Sequence, residues 1–504
     1  MATQSSTDRK CELVELVTEL SQYVNDASLH AKPVHEVEKD IWQRVLAVGH
    51  EALGGFIASQ GNGDVGETFT MPDGQVLKRL ESTHRRSYQS IFGEYVLDRV
   101  VYGSREGQKI EFVPLDHRLQ LPESEFSYVL QDWNQALGVE HSFAGVDETI
   151  QMMLGVNQSV DSLERMNRQM AADVEGFRLS RQAPPAAQEG QIVVVSMDNK
   201  GIPMRRPVEA RPEGSHRKKG EKANKKQMAT VGAVYTVDPK MRTPDEVVAA
   251  LFRDKKNKKP KQKNKPPVAQ HKRVWSSLTM EREGQIELGE DVVWRWLVQE
   301  EARRNPQGDK DLVCLMDGQQ SLWNGRESYL PREDVVEILD LLHVTPRLWE
   351  AAHLFHREGS DEASTFVRQR LLGILKGQAG YVIGGLRQMG TKQGLRGHKA
   401  NKLRVLCNYL ENNRDRMQYN EYLASGYPIA SGIIEGACRH VVKDRMERAG
   451  MRWCVAGAQA MLDLRTTHIN GQWDGFQNYR IDQAKRRQYP HSHALEAVDW
   501  PIAA

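Results

Sequence analysis

The chain has 504 residues, 39% apolar and 27% charged, with a net charge of only +2. That length leaves room for about three domains with a large core, and the balance fits a soluble globular protein with some extended polar segments. No apolar run approaches a membrane span and Met1–Asp8 lacks the apolar core of a signal peptide, so a soluble cytoplasmic protein with no membrane partner is expected. Five scattered cysteines (Cys11, Cys314, Cys407, Cys438 and Cys454) form no CxxC pair, which argues against a zinc ribbon or disulfide framework and for a reducing compartment.

Residues 1–84 read as a helical region. Leu13, Leu16, Val17, Leu20, Tyr23 and Val24 recur at helical spacing, and Val37, Ile41, Val45 and Leu46 mark a second helix between Pro33 and Gly54-Gly55. Such stripes are ordinary core or helix pairing before they are self-association surfaces. Residues 85–181 open with β-prone Tyr88, Ile91, Tyr95 and Val100–Tyr102, which predict a small β-hairpin, and turn helical from Ser124. Within it Val146–Met166 shows a helix, a Gly155 turn and a second helix capped near Ser159. This pattern fits a DNA-reading helix-turn-helix and a plain helical hairpin equally well; Glu164 beside Arg165 keeps the second helix from being a basic face.

Residues 182–190, Gln-Ala-Pro-Pro-Ala-Ala-Gln-Glu-Gly, are a linker by composition. A buried strand, Ile192–Val195, follows and runs to Asp198, with Asn199-Lys200-Gly201 predicted as a turn. Alone, Asp198 reads as a turn residue; the alternative is a catalytic or metal-binding acid at a sheet edge. Met228–Val237 and Lys272–Leu278 are two more strands, Glu290–Arg304 a helix, and Asp311–Asp317 a further buried strand delivering an aspartate to Gly318. The segment 205–273 holds 21 Lys and Arg against 7 Asp and Glu, so it carries +14 while the remainder of the chain is near −12. Its two basic tracts, Arg217–Lys226 (with Lys218, Lys219, Lys225 and Lys226) and Lys255–Lys265 (with Lys255, Lys256, Lys258 and Lys259), flank strands and read as phosphate-contacting surface rather than merely solvated loops. Glu333–Val344 reads as strand or helix and sets Asp340 and His343 three residues apart. Residues 345–425 are helical throughout, with basic Arg396 and Lys399, and Ser431 caps a long helix that carries Glu435 and runs through Arg445.

Asp198, Asp317 and Glu435 stand 119 and 118 residues apart, so only a fold that lays two strands side by side under one helix can gather them. Three carboxylates suit magnesium, a hard ion that takes oxygen ligands and is shared with substrate phosphates. Two such ions about 3.5–4 Å apart support in-line phosphodiester displacement.

The order of these elements resembles the RNase H-like domain of DDE transposases, and most nearly the Kra-type bacterial insertion-sequence transposases of the Mutator-like group. The resemblance rests on Val-Ser-Met-Asp198-Asn-Lys-Gly-Ile-Pro-Met, Lys-Lys-Gln-Met-Ala-Thr-Val-Gly-Ala-Val-Tyr, Leu-Met-Asp317-Gly, Leu-Asp340-Leu-Leu-His343-Val, Ser-Gly-Ile-Ile-Glu435, Arg445-Met446 and Gly450-Met-Arg-Trp453. It covers roughly residues 190 to 480, and the N-terminal part more loosely. One departure is Asp198-Asn199, where the family often has Asp-Gly; the acid itself is kept.

The resemblance implies a multidomain α/β protein. A mainly helical N-terminal DNA-binding region with a small β-hairpin would precede an RNase H-like mixed-sheet core over 191–344, with basic insertions over 205–273. An all-α insertion would fill 345–425, the catalytic-core helix 426–480, and a tail 481–504. It implies a catalytic, metal-binding triad of Asp198, Asp317 and Glu435 holding two Mg²⁺ ions (or Mn²⁺), with Asp340 and His343 beside it and Arg445 and Trp453 near DNA; a buried structural histidine and a core tryptophan are the plainer readings of the last-named pair of rings. The implied protein works on double-stranded DNA, at the ends of its element and at a target, as a dimer or larger homo-oligomer in the bacterial cytoplasm at the nucleoid. Another RNase H-like nuclease, or a transposase-derived DNA-binding protein without activity, are the competing readings.

Overall fold

A computed structural model describes residues 6–105, 110–205, 226–253, 268–448 and 450–491, with Leu495 and Trp500. The chain divides into two units: residues 1–177 with 473–504, and residues 178–472.

In the first unit the two predicted N-terminal helices are Ser6–Leu29 and Val34–Ser59, joined across Pro33. They pack on each other, and Ala27 and Gly54 are their buried positions among the described side chains. The β-prone stretch forms the antiparallel hairpin His84–Ser90 and Gly93–Arg99, with Tyr88 opposite Tyr95. A second small sheet combines Thr68–Thr70, Val76–Arg79 and Tyr102–Gly103. Three helices follow, Tyr128–Gly138, Phe143–Leu154 and Val160–Ala171, each with a serine (Ser127, Ser142, Ser159) whose hydroxyl accepts a first-turn N–H. Gly155, at φ +71°, ends the middle one in the left-handed conformation glycine adopts without strain. The last two helices are thus paired across the predicted Gly155 turn. The outer face of the second carries balanced i,i+4 pairs, Asp161–Arg165 and Glu164–Arg168. The Trp473–Gln488 helix joins this unit: the Trp473 indole N–H donates to Asp132 at 2.6 Å, and Arg480 to Gln131 at 2.8 Å.

The second unit is built on a five-stranded mixed sheet. Its strands in chain order are Ile192–Pro203, Lys226–Val237, Gln270–Leu278, Asp311–Met316 and Val335–Leu339. Their spatial order is fifth, fourth, first, second, third. The first, fourth and fifth are parallel; the second runs antiparallel to both neighbours. This topology is compatible with the RNase H-like sheet expected from the sequence.

Both faces are covered, which is why the parallel strands read as continuous apolar runs. Ile192, Val194, Val313, Leu315 and Ile338 point to the side filled by the helices Leu341–Phe355, Asp361–Leu375, Ala379–Lys392 and Gly397–Asn412. Val193, Val195, Met197, Leu312, Cys314 and Met316 point to the other, where Gly289–Arg304 contributes Val293, Trp294 and Leu297, and Gln320–Tyr329 contributes Leu322 and Trp323. Each such fully buried side chain contributes about 1.5–3 kcal/mol. The borders are occupied as well. On the third strand, the Leu278 N–H donates to Gln459 Oε1 and the Val274 N–H to Asn470 Oδ1. On the fifth, the carbonyls of Leu339 and Glu337 accept from the hydroxyls of Tyr419 and Tyr422.

Three local expectations change. Asn199-Lys200-Gly201 is not a turn: the first strand runs on to Pro203, its twelve residues paired with the second strand from Ile192↔Val237 to Pro203↔Lys226. A ladder of that length outweighs local turn preference, and Asn199 uses its side chain across the ladder, accepting from the Thr230 hydroxyl at 2.8 Å. Glu333–Val344 resolves into both of its readings, a strand to Leu339 and then a helix from Leu341. The long helix predicted from Ser431 through Arg445 is instead α over Gly432–Ala437, π over Cys438–Lys443 and α again over Asp444–Met446. The segment 182–190 is irregular apart from a turn at Ala186–Gln188, and is anchored by Arg273 donating to the Gln182 carbonyl and Glu189 pairing with Arg304.

Candidate active site

The three parallel strands set the site's frame. The first and fourth pair with Cys314 opposite Val195, and the fourth and fifth with Met316 opposite Leu339. Carried on, these registers bring Asp198, Asp317 and Asp340 level across three neighbouring strands. The fourth and fifth strands end there and the first runs on, so the acids sit at the carboxyl ends where open parallel sheets present their ligand crevice. Asp198 and Asp317 are half-buried, and Asp340 is 1% exposed.

Each carboxylate has distinct partners. Asp198 Oδ1 accepts the Asn199 N–H at 2.7 Å, and Oδ2 accepts from the Cys438 thiol at 3.4 Å. Asp317 Oδ1 accepts the Gly318 N–H and the Tyr409 hydroxyl, the latter at 3.1 Å, while His343 Nδ1 lies 3.6 Å from its Oδ2. The Trp323 indole N–H donates to the Asp317 carbonyl at 2.8 Å, so backbone and side chain of the loop are both held. Gly318 is required by space: a Cβ there would stand 2.6 Å from the Tyr409 ring and 2.8 Å from Asn413 Nδ2.

Asp340 plays a different part. It caps the Leu341–Phe355 helix through the Leu342 N–H at 2.8 Å, and its other oxygen accepts the Ser431 N–H at 3.1 Å. Ser431 in turn caps the helix bearing Glu435, accepting from Ile434 N–H. One buried carboxylate therefore ties two helix starts together. Burial pushes its pKa up to about 6, opposed by the Leu342 N–H and the nearby His343. Burial first, then the neighbouring carboxylates, raises the Cys438 thiol (Asp198) and the Tyr409 phenol (Asp317), so both stay protonated donors. Glu435 is exposed and lies on the same helix face as Cys438, three residues on.

These oxygens have the chemistry a hard cation takes. They are not gathered into a ready site, however: among the described residues no group of three or more His, Cys, Asp or Glu is placed to hold a metal ion.

The other expected contact residues are scattered. Lys218, Lys219, Lys225, Lys255, Lys256, Lys258 and Lys259 lie outside the described residues. Lys226 starts the second strand, exposed and paired with Glu447. Arg396 and Lys399 are exposed at the start of the Gly397–Asn412 helix. Arg445 is enclosed, 1% exposed, with its guanidinium 5.2 Å from the Trp453 ring centre. Trp453 is half-buried; its indole donates to the Met446 carbonyl, and its backbone bonds Pro203 at the end of the first strand and Arg205 just past it.

Sequence reasoning missed Tyr409, Cys438 and Ser431's link to Asp340. The i,i+3 spacing of Glu435 and Cys438 would have flagged the thiol; nothing in the pattern around Tyr409 sets it apart from any helical tyrosine.

Neither any family model nor any curated protein matches the chain. Among solved structures, similarity extends to the Drosophila P element transposase strand transfer complex, at 11% identity and a TM-score of 0.24, over 75% of this chain and 87% of that one.

Proposed function

We propose that the protein is a DNA transposase of the Kra-type, Mutator-like group. It binds the terminal inverted repeats of its own element, cleaves DNA and joins the resulting 3′-hydroxyls to target DNA. The observation that carries this reading is the parallel pairing of the first and fourth strands through Val195 and Cys314, a register that, carried on three residues, levels Asp198 with Asp317 near the segment bearing Glu435. The sequence motifs around these acids point the same way.

In this reading Asp198, Asp317 and Glu435 are the metal ligands, and Mg²⁺ or Mn²⁺, two ions when fully loaded, supplies charge neutralisation at the phosphodiester. Glu435 must draw in toward the two aspartates for that set to close. Asp340 holds the cap of the Glu435 helix and His343 lies against Asp317. The basic tracts hold DNA backbone, so binding falls steeply with salt. Assembly on paired element ends, as a dimer or larger, belongs to the same proposal.

Asp198→Asn is the test: strand cleavage of element-end DNA disappears while binding survives, and undiminished cleavage rejects the reading. The absence of a gathered acid group among the described residues favours one rival, a transposase-derived DNA-binding protein without activity. A strand-transfer assay with the wild-type chain separates the two.

A further inference from the structure

The helix that carries Glu435 departs from α geometry, and one buried arginine accounts for the place where it does so. Within Cys438–Lys443 the backbone is π-helical, and the Asp444 N–H reaches back five residues to the Arg439 carbonyl. A π turn inside an α-helix displaces the usual donors and leaves carbonyls seeking partners; such turns recur at functional sites. Arg465, on the Val455–Ile469 helix, supplies them. Its Nε donates to the His440 carbonyl at 2.6 Å and the Val441 carbonyl at 3.0 Å, and its Nη2 donates to His440 as well. Arg465 is 2% exposed, so its guanidinium is enclosed against this backbone.

The position of the π turn decides how the preceding segment is rotated, since one residue of helix corresponds to about 100°. In the register observed, Cys438 meets Asp198 and Glu435 shares the Cys438 face. The π turn itself packs on the first strand and on the Arg465 helix, and the Gly432–Ala437 helix before it packs on the first and second strands.

We propose that Arg465 is a positioning residue: by holding the π register it fixes the rotation of the Gly432–Cys438 segment and so keeps Glu435 on the side of Asp198 and Asp317. The catalytic consequence rests on the transposase reading; the positional claim stands apart from it.

The test uses the full chain with Cys11→Ser and Cys454→Ser, which leaves the buried Cys314, Cys407 and Cys438 as the thiols. Labelling of each is followed by peptide mass, beside cleavage of element-end DNA. Arg465→Gln raises Cys438 labelling at least about tenfold, through local opening, while Cys314 and Cys407 stay protected. Arg465→Lys gives an intermediate rate, since one ammonium replaces a fork. Deleting the exposed Arg439 restores a regular helix; it uncovers Cys438 and lowers cleavage about a hundredfold, as misplacement of a reacting group does. In that background Arg465→Gln changes Cys438 labelling no further.

Cys438 protected as before in Arg465→Gln, with Cys314 and Cys407 also protected, overturns the proposal. If Arg465→Gln exposes all three thiols, the deletion decides: unchanged Cys438 protection there overturns it, and selective exposure supports it. A parent chain that cleaves no DNA while Cys438 follows the expected pattern rejects the transposase reading and leaves Arg465 in its role. Cleavage undiminished in Arg465→Gln removes that role.

Discussion

The two aspartates and the glutamate are held in place by different means. Asp198 and Asp317 ride on strands whose pairing is set by main-chain ladders, twelve residues long between the first and second strands. Glu435 rides on a short helix placed by side chains: Asp340 on its cap, the Cys438 thiol on Asp198 and Arg465 on its π turn. A main-chain ladder survives most single substitutions; a placement made by three side chains does not. Changes on the sheet side should therefore remove chemistry and spare structure, whereas changes on the helix side should move structure first.

The largest effect is expected from the sheet side. On the proposed transposase reading, Asp198→Asn or Asp317→Asn lowers strand cleavage at least about 10³-fold, some 4 kcal/mol of barrier. Thermal melts of these variants stay close to wild type, because neither acid holds the ladder. A large drop in melting temperature would break the contrast.

Asp340 tests the helix side. Its pKa is raised by burial from 3.8 to about 6, so the folded chain holds this proton more tightly than the unfolded chain. The stability this group contributes is complete below the unfolded value and is lost as pH rises through about 6. The loss is on the order of 3 kcal/mol between about pH 4 and 7. Asp340→Asn cannot titrate, so the difference in denaturation free energy between wild type and this variant changes across that window. A constant difference would show that the carboxylate is not buried as described.

Gly318→Ala comes next, at about 1–3 kcal/mol of stability by urea denaturation, because the added methyl meets the Tyr409 ring and Asn413. Tyr409→Phe is the mildest. It removes one hydrogen bond to Asp317 and costs about 1 kcal/mol or less, with cleavage changed by less than about tenfold. Combining the two sharpens the comparison: loss of the Tyr409 hydroxyl should not rescue Gly318→Ala, since the ring itself remains in the way.

What the sequence made legible follows from what each signal measures. Ile192–Val195 and Asp311–Met316 read as buried strands because both faces of each are covered, and that burial requires unbroken apolar runs. Level placement of the acids then needed only two strands to be neighbours. Asn199-Lys200-Gly201 misled because turn preference is local, whereas a partner strand decides whether the chain turns. The π turn was invisible because its stabilising group, Arg465, lies twenty-five residues from His440. Tyr409 was invisible for the same reason, at a separation of 92 residues from Asp317. Both are contacts of the finished fold, with no period or spacing to betray them.

The covered borders of the central sheet bear on how copies of this chain can meet. An open border strand is a template on which another chain can add a strand, and the usual route to uncontrolled polymerisation. Here amide and carboxamide groups of Gln459 and Asn470 stand in for a sixth strand on one side, and two phenols do so on the other. Strand addition to the described central sheet meets side chains at both rims, so the assembly proposed above would have to use surfaces other than these two strand borders.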